Sequence, residues 1–431
     1  MAAMTRRSFV LAAPAVRTVL GSPNEKLVVA CMGVRGRAGS LMRGFADLNR
    51  EFEVAAVCDI DTRLFNQAVK DVAGRQKKEP RTETDFRRLL DDKSIDALVV
   101  GTPDHWHALP TVLACQAGKH VYVEKPASHN MHEGQAMLAA ARRYKRVVQV
   151  GIQSRSSRSL FEALEYIRSG ALGKVVLAKA WESAKQRALP AQPDGSPPEG
   201  VDYDMWLGPA PQRPFNPNRF HSNWRWFFDY GTGDLGNDGV HRIDYARRGL
   251  EAAFAAQGKK LAEWPIAVSA SGGKHFFDDA QEWPDTLVAT WDYPGAILMY
   301  EMRTWSAYAQ DGEAEGAAIY GENGYVIIGN QGWRAFGPKG EPGASGAGSN
   351  DEDDPAHKRN FLECIRSGAL PNCDIAIGHA ASSLTHLGNI AWRVNRKLKF
   401  DGATQTFPGD EEANRHLARQ AREPWVMPKI G

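Results

Sequence analysis

From Lys26 onward, short apolar runs rich in β-branched residues alternate with stretches of helical period. The runs occupy Leu27 to Met32, Val54 to Cys58, Ala97 to Gly101, His120 to Glu124 and Val147 to Gly151. Between them, Leu109 to Ala117 and His132 to Tyr144 repeat apolar residues at the spacing of an amphipathic helix. Strands that are apolar on both faces, separated by helices, belong to parallel sheets covered on both sides. The pattern therefore predicts a doubly wound α/β domain ending near residue 150.

Beyond that point the texture changes. A helix over Leu160 to Ile167 and a strand over Val175 to Trp181 precede residues 186–220, a stretch rich in proline and polar residues. Such a stretch reads as a long functional surface excursion rather than core. Strand-like runs recur at Ile266 to Ala270, Leu287 to Trp291, Ile297 to Met302, Ala317 to Tyr320 and Tyr325 to Ile328, some joined by short turns such as Tyr293-Pro294-Gly295. They predict a largely antiparallel sheet. Gly337 to Asp354, glycine-rich and then acidic, predicts a mobile loop; Pro355 to Arg366 and Ile375 to Asn395 predict helices. No internal repeat is present. The expected division is a tail over 1–24, a first domain over 25–150 and an α+β domain over 151–431 with a large, mostly antiparallel open sheet. An uncovered sheet face is an apolar patch seeking a partner, so a homodimer or homotetramer is expected.

Composition narrows the partner. The 431 residues are 43% hydrophobic and 24% charged, with 53 Lys plus Arg against 51 Asp plus Glu. A formal net charge of +2 makes no strong field for nucleic acid or an anionic membrane, which leaves a small molecule. No run reaches the ~18 uninterrupted apolar residues of a spanning helix. Five cysteines, Cys31, Cys58, Cys115, Cys364 and Cys373, sit in apolar or helical contexts without a CxxC pair and read as core thiols. At the N-terminus, Thr5-Arg6-Arg7-Ser8-Phe9-Val10-Leu11 and the weakly apolar stretch to Leu20 resemble a twin-arginine export signal, the alternative being a ragged basic tail. Export by that route predicts a periplasmic location and, because it carries folded proteins, allows a cofactor to be loaded first. Without export the location is cytoplasmic.

The chemistry begins where the first strand runs into Gly33-Val34-Arg35-Gly36-Arg37-Ala38-Gly39 and then a helix. A glycine-rich turn lets backbone approach a pyrophosphate, and the helix N-terminus offers it free N–H groups. The motif is imperfect, because Arg35 takes the middle glycine position and Ala38 the last. The second strand ends at Asp59, 20 residues beyond Gly39, where a carboxylate can accept hydrogen bonds from an adenosine ribose. Asp59 would repel a 2′-phosphate, so NAD is favoured over NADP, although Arg63 nearby leaves NADP open.

Two further strands end at Gly101-Thr102-Pro103-Asp104-His105-Trp106-His107 and at Tyr122-Val123-Glu124-Lys125-Pro126, where ligands of doubly wound sheets bind. His105 and His107 lack a third ligand at sensible spacing, so no metal site is expected. The Glu124-Lys125-Pro126 triplet carries a resemblance: the chain resembles the glucose-fructose oxidoreductase and inositol dehydrogenase (Gfo/Idh/MocA) family over nearly all its length after residue 25. The resemblance extends to Gly388-Asn389-Ile390 and the surroundings of Pro424-Trp425. It implies a Rossmann domain binding NAD through Gly33, Val34, Arg35, Gly36, Asp59, Thr102, Pro103, Asp104, His107, Glu124, Lys125 and Gln153. It also implies that Lys125 reaches both the nicotinamide ribose and the reacting hydroxyl, and that Pro126 follows a cis peptide. A partly desolvated lysine beside a cationic ring can exchange a proton near neutral pH.

A glycine-rich segment, Gly231 to Gly239, opens a helix carrying His241 and Asp244. The family places a substrate-facing Asp here and a His four residues later. His241 matches, but the Asp position is Asn237, so Asp238 and Asp244 are the candidate substitutes. A histidine in the first turn of a helix is disfavoured as a cation and stays available as a base. Val150-Gly151-Ile152-Gln153-Ser154-Arg155 matches a family segment facing nicotinamide and substrate, which adds Arg155 to the substrate contacts. Within Trp224-Arg225-Trp226-Phe227-Phe228-Asp229, Trp226 is a candidate stacking face for a sugar ring.

The expected function is hydride transfer between nicotinamide and a hydroxyl carbon of a sugar, polyol or glycoside, with Lys125 and His241 as the catalytic pair. An exported enzyme would have no obvious pool with which to exchange NADH. A redox-neutral enzyme that recycles bound NAD, either an NAD-dependent glycosidase or a sugar-sugar oxidoreductase, is therefore the alternative. A non-catalytic NAD or sugar sensor is a third reading, because fold does not guarantee activity.

Overall fold

The computed structural model describes residues 25–183, 185–349 and 354–430, so the twin-arginine segment lies outside the described residues. Six parallel strands form the first sheet: β1 (Leu27–Met32), β2 (Phe52–Cys58), β3 (Arg81–Glu83), β4 (Ala97–Val100), β5 (His120–Val123) and β6 (Val148–Val150). Their order, β3-β2-β1-β4-β5-β6, is that of a Rossmann sheet, with the reversal between β1 and β4. The apolar runs are buried because helices cover both faces. Leu41, Met42 and Phe45 of the helix Gly36–Asp47 pack on one side, and Val112, Met137 and Ala140 on the other.

The second sheet holds nine strands: β7 (Val175–Glu182), β8 (Ala267–Gly273), β9 (Thr286–Tyr293), β10 (Ala296–Arg303), β11 (Glu315–Gly321), β12 (Gly324–Gly329), β13 (Gly332–Phe336), β14 (Pro342–Ala347) and β15 (Leu398–Lys399). The order β14-β13-β12-β11-β7-β10-β9-β8-β15 is antiparallel except where β10 runs parallel to β7. One face packs on the helices Arg158–Arg168, Gly239–Ala256 and Ile375–Val394 around Trp291, Tyr300, Ile243 and Leu387. The other face leaves Val288 and Ile297 exposed.

Three expectations need correction. The stretch predicted as a mobile loop contains β14, paired to β13, because Gly343 and Gly346 permit close strand approach without demanding a turn. The excursion over 186–220 carries a core of its own. Trp206, Phe215, Phe220, Trp226 and Tyr230 pack together, with Tyr203 stacked on Trp206. It folds back over the first domain, where Thr62 N–H donates to Gly200 O and Asp202 N–H to Ile60 O. Finally, the chain after residue 150 does not stay with the second sheet. Phe361 and Leu362 of the helix Asp354–Ser367 pack into the Rossmann core beside Phe45 and Tyr122.

Candidate active site

The cleft lies at the carboxyl ends of β1, β2, β4 and β5 and is lined by the glycine turn, Asp59, Thr102, Pro103, Asp104, Glu124 and Lys125. Gly33 stands at φ +90°, and a Cβ there would come within 3.0 Å of the Ala38 Cβ and 3.2 Å of the Gly101 carbonyl, so only glycine fits. The helix Gly36–Asp47 begins without a side-chain cap, which leaves its first N–H groups free for an anion. Asp59 Oδ2 accepts from Val34 N–H at 3.0 Å and Oδ1 from Asp61 N–H at 3.1 Å, tying the acidic strand end to the turn. Burial raises its carboxyl to about 6 against the opposing backbone hydrogen bonds. An uncapped helix start, a cradle that a Cβ would fill and an acceptor at the neighbouring strand end together fit a dinucleotide.

Lys125 precedes Pro126 through a cis peptide. Its Nζ donates to the Asn237 carbonyl at 2.6 Å, lies 3.3 Å from Asn237 Oδ1 and pairs with Asp238 Oδ1 at 3.6 Å. The substituted family position thus contacts the lysine through its amide, and the adjacent Asp238 supplies a carboxylate. Burial pushes the Asp238 carboxyl up, but Lys125, His241 and Arg225 outweigh it and hold it below its ordinary value. Burial, then the Lys125 and Arg242 charges, keep His241 well below the usual imidazole range, and its Nδ1 has no partner. His241 is therefore a neutral base near the lysine.

Beneath these groups lies a carboxyl cluster that sequence reasoning missed. Glu182, Asp234 and Asp238 bring oxygens within 4.8 Å of one another. Burial first, then the neighbouring acids, raises Glu182 well above its ordinary value and Asp234 to about 6. As carboxylates, Glu182 Oε1 and Asp234 Oδ2 would both be buried acceptors without a donor; one retained proton between them supplies it. Tyr300 donates its hydroxyl to Glu182 Oε2 at 3.1 Å. The Tyr300 ring explains Gly239, where a Cβ would sit 2.8 Å from Tyr300 Oη and 2.9 Å from its Cζ. Asp234 stands within the glycine-rich segment and was visible there. Glu182 at a strand end carried no signal in the sequence.

The remaining predicted residues divide. His107 holds the loop, its ring nitrogens 2.7 Å from the Pro126 carbonyl and 2.9 Å from that of Thr102, and His105 is likewise held between the carbonyls of Tyr230 and Trp206. Asp104 accepts from the Thr232 hydroxyl at 2.7 Å, joining the first domain to the segment that carries His241. Arg155 and Asp244 form an ion pair with each other, both buried, and Gln153 is buried in the turn after β6. Trp226 belongs to the aromatic cluster; Trp224, with Arg225, takes the cleft wall expected of it, because the turn Trp224–Trp226 points its last residue inward. Arg37, also unanticipated, bonds Glu124 at 2.8 Å and Asp354 at 2.8 Å, bridging the glycine turn, β5 and the returning helix.

Residues 27–152 match the oxidoreductase family with an NAD-binding Rossmann fold, and residues 180–299 and 338–427 match that family's C-terminal α/β domain. The levoglucosan dehydrogenase of Pseudarthrobacter phenanthrenivorans is 29% identical over 192 residues, 44% of this chain and 42% of that protein. A glycosyl hydrolase family 109 protein of Stenotrophomonas maltophilia is 27% identical over 290 residues, 62% of each chain. Both matches span less than two thirds of the relative's length. A solved levoglucosan dehydrogenase in complex with NADH and levoglucosan has a TM-score of 0.67 at 17% identity, covering 87% of this chain and 99% of that one. The glycine turn, the lysine at the end of β5 and both matched domains converge: this chain belongs to the Gfo/Idh/MocA oxidoreductase family.

Proposed function

We propose that the protein transfers hydride between NAD(H) and a hydroxyl carbon of a sugar, polyol or glycoside, with Lys125 and His241 handling the hydroxyl proton. The observation that carries this reading is the Lys125 amine, held by Asn237 and Asp238 at the inner end of the cleft and close enough to His241 to depress its basicity. The nicotinamide, when bound, accepts or returns the hydride. Gly33 to Gly36 and the free helix start would hold the pyrophosphate, and Asp59 would accept from the ribose. His241, neutral and with Nδ1 open, takes the proton from the carbinol, and Lys125 orients that oxygen. Asp238, 3.6 Å from the amine, keeps it aimed. Lys125→Met is expected to lower kcat about a hundred- to ten-thousandfold while NAD binding, followed by calorimetry, persists. Full activity in that variant removes Lys125 from the mechanism.

A second reading, redox-neutral recycling of bound NAD, is supported by the similarity to the glycosyl hydrolase family 109 protein. Mass spectrometry of nucleotide released on denaturation, together with an NADH assay, separates the two. Stoichiometric bound NAD with no steady NADH production supports recycling, and steady NADH release on a polyol overturns it. Periplasmic export through Arg6 and Arg7 completes the proposal; an Arg6→Lys, Arg7→Lys double variant then remains in the cytoplasm. A homodimer or homotetramer through the open sheet is proposed on the exposure of Val288 and Ile297.

A further inference from the structure

Behind the Gly231-Thr232 strip lies a second cavity of about 350 Å³, walled by the helix Ile375–Val394, the loop before the helix Met131–Arg143, the aromatic segment around Phe228 and the C-terminal tail. Thr232 separates it from the cleft: its hydroxyl donates to Asp104 on the cleft side, and its carbonyl accepts from Asn389 on the cavity side. His386, Asn389, Ile390 and Arg393 line the cavity from one face of their helix, at the spacing that brings residues three and four apart together.

The polar wall has a definite hydrogen-bonding character. His129 Nε2 lies 2.9 Å from the Phe228 carbonyl, so that nitrogen carries the proton; burial holds the ring well below the usual imidazole range and neutral, leaving Nδ1 a lone-pair acceptor without a partner. His386 is held by the Ser128 carbonyl and is lowered to about 3 by burial, so its unpartnered Nε2 is likewise an acceptor. Asn130 Nδ2 is a buried donor with no partner. At the mouth, the exposed Arg393 guanidinium lies 4.5 Å over the Phe228 ring, and Phe228 meets Trp283 edge to face at 4.6 Å. A carboxylate could use Arg393 and Asn130 but has no hydrogen to give to the two imidazoles, and a hydrogen phosphate dianion has only one for the pair. A polyhydroxylated neutral molecule both gives and accepts at every hydroxyl, and its C–H faces match the aromatic pair.

We propose that this cavity is a second binding site, separate from the cleft, for a neutral polyol or monosaccharide-sized ligand. The test uses the full-length protein and its Lys125→Met variant, with D-glucose, glycerol and inorganic phosphate as probes, followed by saturation-transfer NMR and calorimetry. Saturable glucose or glycerol binding that survives Lys125→Met is expected, weakened about tenfold by His386→Leu and by Arg393→Gln, the loss of roughly one hydrogen bond each. Arg393 is exposed, so its variant keeps the test valid if His386→Leu fails to fold. The proposal is overturned if neither polyol saturates the Lys125→Met protein, if phosphate binds more tightly than both, or if the folded cavity variants bind as the parent does. Weakened polyol binding in the folded His386→Leu or Arg393→Gln protein, with turnover at the cleft unchanged, separates this site from the catalytic reading.

Discussion

At the scale of single residues, burial decides which predicted contacts can meet a ligand. Arg155 and Asp244 were expected to face substrate, yet each neutralises the other inside the second domain. Asp244→Asn leaves a buried guanidinium without its counter-charge and is expected to cost about 3–5 kcal/mol of stability in urea unfolding, with KM little changed in whatever folds. A large rise in KM at unchanged stability would return the pair to the substrate site. Asp59 has the opposite character, being raised to about 6 while lining the cleft. Below that pH it is protonated and no longer offers two charged acceptors to a ribose. NAD affinity is therefore expected to fall as pH drops through about 6, while discrimination against NADP weakens; a flat profile by fluorescence titration would contradict this. The sequence made Asp59 legible through its spacing from the glycine turn. Glu182 was not legible, because a glutamate ending a strand looks like any solvated one until the fold buries it against Asp234.

At the scale of elements, the helix Gly239–Ala256 brings the chemistry together, since its start carries Asp238 and His241 and its first residue lets Tyr300 of β10 approach. Gly239→Ala is expected to destabilise by about 1–3 kcal/mol through overpacking against the Tyr300 ring, and Tyr300→Leu should recover part of that loss in a double-mutant cycle. Additive effects would show that the ring is not the obstacle. The Glu182 and Asp234 pair links β7 to the short helix Gly233–Asn237. Carboxyl groups raised by burial favour the folded state below their unfolded pKa, and that contribution is lost as pH rises through the folded value, here about 6 for Asp234. Glu182→Gln keeps an acceptor for Tyr300 and removes one charge, so the fall in Tm between about pH 5 and about pH 8 should shrink. An unchanged slope would mean that the pair holds no proton. Most strands of both domains were readable from periodicity, whereas the short strands β3, β13, β14 and β15 were not; the pairing of β14, glycine-rich, comes from β13 and not from its own side chains.

At the scale of the whole molecule, the first sheet's strand ends and the segments around Trp206 and Trp224 to Asn237 enclose the cleft, while the open face of the second sheet leaves Ile297 and Val288 exposed on β10 and β9. Ile297→Lys places a charge on that face and is expected to lower the assembly mass by at least half in light scattering, with folding unaffected; an unchanged oligomer places the interface elsewhere. What the sequence by itself determined are the features written in local order: the alternation of buried strands and helices, the turn that only glycine can make at Gly33, and the lysine at the end of β5. These follow from periodicity and backbone sterics, which depend on neighbours along the chain. Tertiary structure alone decided that Trp224 rather than Trp226 meets the cleft, that Arg37 ties the glycine turn to Glu124 and Asp354, and that Glu182 and Asp234 are buried against each other near Asp238. Those outcomes depend on which distant segments exclude water from one another, and no spacing along the chain encodes that.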